Sequence, residues 1–328
     1  MSTPRKTFSI VVPVFNNEPN IPETVPRLLA LASELPGYRL ELVFIDDGSS
    51  DRSYELLEAQ RLSHPDAIAV VKLTRNFGQT PAVQAGLQHA SGDVVGVISA
   101  DLQEPYEMFP EMIRAWERGA KFVIGERVER EESALHTMIS GIYWWLIRRY
   151  AFPDFPPLGF DFFVMDRQLV DDLNRIEEKN SSIYCLVYWL GYRAVRIPVV
   201  RRLRARGFSQ WGFARKLRFT VDTLIAFTSL PSRIITYTAF SFATASLAYL
   251  VVAIWLWAVY EEAPPGWMTL IGLLTLLGSA ILFALGIVSE YLLRILLEQK
   301  RRPSYIIERA DPAGIDGRAA SGSKPAEG

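Results

Sequence analysis

Two acidic clusters follow short apolar runs in this chain. Asp46-Asp47-Gly48-Ser49-Ser50-Asp51 comes after Leu40–Ile45, and Asp101-Leu102-Gln103-Glu104-Pro105 follows the run Val94–Ser99. Side-chain oxygens at such positions hydrogen-bond polar ligands, while Gly48 and Ser49 permit a sharp turn and Asp51 suits the cap of the next helix. A lone Asp-Asp-Gly serves a turn as readily as a site. A second polar segment, Pro13-Val14-Phe15-Asn16-Asn17-Glu18, closes another apolar run and makes the ligand reading the stronger one. A third concentration is basic: residues 193–218 hold nine Arg and Lys and no acidic residue. Guanidinium forks match phosphate oxygens in pairs. The same density is also what the cytoplasmic flank of a membrane span carries.

The elements that position these groups are legible in the spacing. Phe8–Val14, Leu40–Ile45, Ile68–Leu73, Val94–Ser99 and Phe122–Gly125 are short and rich in β-branched residues, and longer helix-compatible stretches separate them. That alternation predicts an α/β domain with a mainly parallel sheet and helices on both faces. Ligands of such sheets sit outside the carboxyl ends of the strands, where the polar clusters lie. Phe8–Val14 is too short for the apolar core of a signal peptide and reads as the first strand.

The chain has 328 residues, enough for a catalytic domain and a second part. Its net charge of −1 argues against nucleic acid as a partner. Cys185 is the only cysteine, which excludes an intrachain disulfide and a thiolate metal cluster. The second part is apolar. Ile234–Tyr260 and Trp267–Ser289 are uncharged stretches of 27 and 23 residues, each longer than the roughly 20 needed to span a bilayer. Only Glu261 to Gly266 join them, so a transmembrane hairpin is predicted. Arg215, Lys216, Arg218 and Arg233 precede it, and Arg294, Lys300, Arg301 and Arg302 follow, so both flanks are expected to be cytoplasmic. Trp255, Trp257, Tyr260 and Trp267 would form an aromatic belt at the far end. His136–Tyr150 and Arg215–Leu230 read as interfacial helices, the former equally as part of a soluble core. The tail Asp311–Gly328, rich in Ala, Gly and Ser, reads as disordered.

With Thr74-Arg75-Asn76-Phe77-Gly78-Gln79 after the third run and Asp101-Leu102-Gln103-Glu104-Pro105 after the fourth, the chain resembles glycosyltransferase family 2. The likeness is to its polyprenyl-phosphate branch and covers roughly residues 7–308. It implies a GT-A, Rossmann-like, nucleotide-sugar-binding domain at 1–200 and a membrane-proximal basic segment at 201–233. A transmembrane hairpin at 234–297 and a cytosolic segment at 298–328 would follow. Donor-binding roles are implied for Pro13, Phe15, Glu18, Asp46, Asp47, Ala100, Asp101 and Gln103. Asp101 and Gln103 would hold a divalent cation, Mg²⁺ or Mn²⁺, that bridges the donor diphosphate; where the family commonly has a further Asp, this chain has Ser99. Diphosphate and water can complete the oxygen shell such ions require.

Arg201, Arg204, Gly207 and Ser209 match the family's lipid-phosphate clamp, with Gln210-Trp211 in place of the usual Lys-Tyr. Arg127 resembles an arginine near the donor phosphates. Asp161, in Gly159-Phe160-Asp161-Phe162, aligns with a carboxylate that orients sugar or acceptor, assists deprotonation, or is structural. The implied reaction is inverting transfer from a nucleotide-sugar, a UDP-sugar favoured, to undecaprenyl or dolichyl phosphate. The implied setting is the cytoplasmic leaflet of a bacterial inner membrane, with a homotetramer in keeping with the branch. Two other readings stay open. One is a processive polysaccharide synthase, which would need a Gln-x-x-Arg-Trp motif that this chain lacks. The other is a non-catalytic membrane protein that binds nucleotide-sugar or lipid phosphate.

Overall fold

The computed structural model describes residues 5–128, 141, 144–176, 182–200, 202, 230–260, 266–300 and 302–314. The chain divides into two compact units. One is Met1–Phe213 together with Pro303–Gly328; the other is Ala214–Arg302.

In the first unit all five predicted runs are strands: β1 (Lys6–Val14), β2 (Tyr38–Asp46), β3 (Ile68–Leu73), β4 (Val94–Val97) and β5 (Phe122–Arg127). Helices α1 (Ile21–Glu34), α2 (Ser53–Ser63), α3 (Gln79–His89) and α4 (Phe109–Glu117) follow β1 to β4 in turn. β1 lies between β2 and β4, parallel to both, and β2 is parallel to β3. Its residues Phe8 to Val12 are all buried, as expected for a strand covered on both faces.

Three further strands make the sheet mixed. β6 (Phe163–Asp166) runs antiparallel between β4 and β5, β7 (Ala194–Val199) is parallel to β5 at one edge, and β8 (Ile307–Asp311) is antiparallel to β3 at the other. The order is β7-β5-β6-β4-β1-β2-β3-β8. None of these three carries a strong strand signal. β6 is four residues long, β7 contains Arg196 and Pro198, and Ile307-Glu308-Arg309-Ala310-Asp311 is mostly charged. Placing β8 on β3 corrects the expectation of a disordered tail at its first four residues, 311–314, while 315–328 lie outside the described residues. Asp311 pairs with Val70, and the Gly314 N–H donates to the Pro65 carbonyl at 2.9 Å. Helices α5 (Arg167–Asn174) and α6 (Ile183–Trp189) complete the described helices of this unit, with a further helical stretch at 144–150.

The second unit contains α7 (Leu230–Tyr260) and α8 (Gly266–Gln299), which cover the two apolar stretches. The helix α8 continues past Ser289 to Gln299 through good helix formers, Leu, Glu, Arg and Gln. Leu276–Leu293 is long and apolar enough to cross a membrane, and Leu282, Phe283 and Leu285 in it are exposed. The predicted turn at 261–265 and most of 215–230 lie outside the described residues.

Candidate active site

The carboxyl ends of β1 and β2 are paired in register, Val14 against Asp46, so the two polar turns that follow emerge side by side. Backbone and side chain then knit them together. The Asn16 N–H donates to Ser49 Oγ at 3.0 Å, and the Ser50 N–H donates to Asn16 Oδ1 at 2.8 Å. The Glu18 N–H donates to Asp51 Oδ2 at 3.1 Å, while Glu18 Oε2 accepts from the Arg52 N–H at 3.2 Å. Asp51 thus serves both turns, and its Oδ1 takes the Ser53 N–H at the start of α2 at 3.0 Å. Asn16 has φ 47°, a left-handed conformation that Asn tolerates better than most residues.

Asp46 and Asp47 are both buried, and they do different things. Asp47 Oδ1 accepts from the Phe77 N–H at 2.7 Å and Oδ2 from the Gly78 N–H at 2.9 Å, so its carboxylate holds the loop after β3. Burial pushes its pKa up to about 6 despite those two bonds. Gly48 lies under the same loop with φ +67°, and a Cβ there would stand 2.4 Å from the Arg75 carbonyl carbon. Asp46 Oδ2 accepts from the Ser49 N–H at 3.3 Å, whereas its Oδ1 is buried with no hydrogen-bond partner among the described residues. Burial also raises the Asp46 pKa. A buried acceptor left unmatched is costly, and a ligand N–H or O–H would satisfy it.

On the other side of β1, the end of β4 carries Ala100, Asp101 and Gln103. The Ala100 carbonyl accepts from Thr24 Oγ1 of α1 at 2.7 Å, Leu102 has φ 47°, and Asp101 Oδ1 accepts from the Gln103 N–H at 3.3 Å. Asp101 and Gln103 are half-buried. They fit a divalent cation as hard oxygen donors, with most of the shell left to a ligand. Among the described residues no group of three or more His, Cys, Asp and Glu side chains is placed to hold a metal by itself.

Arg127, at the end of β5, and Asp161, two residues before β6, were separate expectations in the sequence, and the fold joins them in an ion pair. Because β6 is antiparallel, its beginning lies at the same edge of the sheet as the ends of β4 and β5. Glu104 Oε1 also faces Arg127 Nη2, at 3.4 Å, and Ser99 Oγ donates to Glu104 Oε2 at 2.8 Å. Tyr184 of α6 accepts from Gln79 Nε2 at 3.0 Å. Its pKa is driven well upward by burial and by the charges of Asp161 and Glu104. Glu104, Ser99 and Tyr184 had no individual role in the sequence reading. Glu104 was visible within the Asp-Leu-Gln-Glu-Pro run, but its burial was not.

The start of the basic segment is tied to this edge as well. The Arg202 N–H donates to the Gln103 carbonyl at 2.8 Å, and Gln103 Nε2 donates back to the Arg202 carbonyl at 3.4 Å. Arg202 also bridges to Glu107 at 2.8 Å. Arg201, Arg204, Gly207, Ser209 and Gln210 lie outside the described residues. Behind the site, Trp144 stacks on Phe155 at 5.1 Å between ring centroids, and Gly159 (φ +69°) leaves that indole room, since a Cβ would stand 2.4 Å from it. Cys185 is buried, which raises its thiol pKa to about 12, so it is a packing residue and not a nucleophile.

The chain has recognisable relatives among known proteins. The family model for glycosyl transferase family 2 matches residues 9–173. The chain is 32% identical over 304 residues to an SfII prophage-derived bactoprenol glucosyl transferase of Shigella flexneri, covering 92% of this chain and 98% of that protein. It is likewise 32% identical over 304 residues to the uncharacterized glycosyltransferase YkcC of Bacillus subtilis, covering 92% and 94%. Among solved structures it is similar to a mannosyltransferase of Pyrobaculum calidifontis in complex with GDP-Man and Mn²⁺. The identity there is 17%, the coverage 85% of this chain and 87% of that one, and the TM-score 0.44. The mixed α/β sheet, with its polar groups gathered at one edge, is a GT-A-like arrangement, and the chain belongs to glycosyltransferase family 2.

Proposed function

We propose that this protein transfers a sugar from a nucleotide-sugar, a UDP-sugar favoured, to a polyprenyl phosphate with inversion at the anomeric carbon. The observation that carries the reading is the pair of hydrogen bonds between Gln103 and Arg202. They tie the beginning of the arginine-rich segment to the strand end where a donor diphosphate would lie. The phosphate acceptor is assigned to Arg201, Arg204, Ser209 and Gln210 of that segment, as the family resemblance implies. Similarity over most of the chain to bactoprenol glucosyl transferases supports the same acceptor class.

The turns after β1 and β2 receive the nucleoside, with the unmatched Asp46 Oδ1 accepting a ligand hydrogen and Pro13, Phe15 and Glu18 lining the approach. Asp47 acts through the loop it holds. A phosphate oxygen of the acceptor attacks the anomeric carbon, the new C–O bond forms as the bond to the diphosphate oxygen breaks, and the nucleoside diphosphate leaves. A phosphate monoester loses its second proton near pH 6, roughly, so the acceptor is largely a dianion at neutral pH and needs no dedicated base. The chain's work is then to position the two phosphates and neutralise the leaving one, a role that falls to Arg127 by its resemblance to the family's arginine. A divalent cation, Mg²⁺ or Mn²⁺, held by Asp101 and Gln103, would add charge neutralisation at the diphosphate. Asp161 orients the sugar or the acceptor. Helices α7 and α8 form a membrane hairpin whose flanks face the cytoplasm, which gives the site access to a lipid phosphate at the inner leaflet.

Transfer of radiolabelled sugar into organic-extractable lipid, run across UDP- and GDP-sugars with membranes containing polyprenyl phosphate, tests the proposal. A lipid-linked product with one donor is expected. Donor binding without product from any of them would instead support a non-catalytic binding protein, and a long polymer would support a processive synthase.

A further inference from the structure

We infer that Glu308 is a positioning residue of the donor site: it holds the Lys72 ammonium away from Asp46, so that Asp46 Oδ1 stays open to a ligand hydrogen. The inference rests on the nucleoside role proposed above for Asp46 and adds to it two residues that need not touch the ligand.

Asp46 of β2 and Lys72 of β3 are paired in register. They also share a face of the sheet. Leu42 and Phe44 on β2, and Ile68 and Val70 on β3, belong to one buried cluster with Leu57 of α2, and the strand period of two carries that face on to Asp46 and Lys72. Neighbouring strands lie about 4.8 Å apart, a gap that the four-carbon stem of a lysine spans. An ion pair is the expected outcome for such neighbours, the more so because Asp46 is fully buried and a bound ammonium would offset its desolvation. Among the described residues the pair does not form. Lys72 Nζ donates instead to Glu308 Oε1 of β8 at 2.8 Å and stands 4.9 Å from the centre of the Tyr54 ring, while Asp46 Oδ1 has no partner.

Glu308 is thus the group that sets where the ammonium points. Backbone pairing puts it there: β8 runs antiparallel to β3 with Arg309 opposite Lys72, and the Thr74 N–H donates to the Ile306 carbonyl at 3.0 Å. The Glu308 side chain is 50% exposed and that of Lys72 26%, so the bridge contributes little to the stability of the fold. Its consequence lies in the direction it gives Lys72. A buried carboxylate oxygen capped by lysine could take a ligand N–H or O–H only by giving up that cap first, whereas an open oxygen takes it directly. From its diverted position the Lys72 charge still favours the ionised form of Asp46, against the burial that opposes it.

The test is UDP and GDP binding, by calorimetry with Mg²⁺ present, to the full chain in detergent. Four proteins are compared: wild type, Glu308→Val, Lys72→Met and the double variant. Glu308→Val removes both charge and acceptor, so Lys72 turns to Asp46 and nucleotide binding should weaken about tenfold, the weight of one hydrogen bond to a charged group. In the Lys72→Met background the same substitution should change affinity by no more than about twofold, because no ammonium remains to cap Asp46. An equal loss in both backgrounds overturns the inference and makes Glu308 a support of β8 alone, while wild-type binding leaves the donor site standing. Loss of all binding in Lys72→Met also overturns it, since Lys72 would then serve the nucleotide directly. A wild type that binds neither nucleotide overturns the donor site and this inference together. If Glu308→Val does not fold, the milder Glu308→Gln takes its place and must show the same dependence on Lys72.

Discussion

Replacing Asp47 with Asn should stabilise the chain at neutral pH while impairing it as an enzyme. The Asp47 side chain is buried, and its carboxyl titrates at about 6 in the folded chain against 3.8 for a free aspartate. The folded state thus keeps a proton that the unfolded state has released between those values. Stability falls as pH rises through this window and levels off above about 6. The interval corresponds to roughly 3 kcal/mol, the cost of burying the charge beyond what the Phe77 and Gly78 amides return. Asn is a fixed mimic of the protonated carboxyl: it keeps one acceptor and faces the other amide with its own NH₂. Both forms forgo that second bond, so it cancels in the comparison. The Asn variant should therefore match wild type near pH 4 and exceed it by about 6–12 °C in apparent Tm at pH 7.5, for a unit of this size. Thermal unfolding of both proteins in one detergent, from pH 4 to 8, reads this difference directly. A variant that melts below wild type at pH 7.5 would refute the reasoning. It would mean that the two amide bonds outweigh desolvation and that the folded carboxyl sits below its ordinary range. The gain in stability should come with a raised donor KM, since the loop after β3 loses one of its two tethers.

Asp101→Ala should abolish sugar transfer while the protein still partitions into membranes, because α7 and α8 are untouched; substantial residual turnover, measured with the radiolabelled donor, would remove Asp101 from the cation site. Gly48→Ala should lower both the melting temperature and donor affinity, by more than about 1 kcal/mol in stability, since the added methyl meets the Arg75 backbone at 2.4 Å and the residue has φ +67°. Unchanged melting would show that the loop after β3 yields easily. Arg202→Ala removes an exposed bridge to Glu107 and leaves the backbone bonds to Gln103 in place, so it should change stability by less than about 1 kcal/mol and largely preserve turnover. In contrast, Arg201→Ala and Arg204→Ala should raise the KM for the lipid acceptor in the same assay.

Much of this protein is legible along the chain. The five apolar runs became β1 to β5 because a strand buried on both faces needs a continuous apolar stretch, and nothing distant is required to see one. The polar groups after those runs fall at one edge of the sheet for the same reason, and the two apolar stretches became α7 and α8. Less was legible where pairing decides structure. Ile307–Asp311 has no apolar pattern of its own, yet it forms β8 because Lys72 and Glu308 pair at 2.8 Å and the Thr74 N–H donates to the Ile306 carbonyl at 3.0 Å. The site divides in the same way. Asp46 and Asp47 look equivalent in sequence, and only the approach of the loop after β3 gives one of them two amide partners and leaves an oxygen of the other unmatched. Ser99, Glu104, Arg127 and Asp161 come from three separate stretches of chain, and only the antiparallel insertion of β6 between β4 and β5 brings them together. Residue type and local period by themselves determined the class of fold, the apolar helices and the candidate ligand groups. The tertiary structure decided which carboxylates are buried, which share a cation and which oxygen awaits a partner, because desolvation and ion pairing depend on neighbours that the chain supplies from far away.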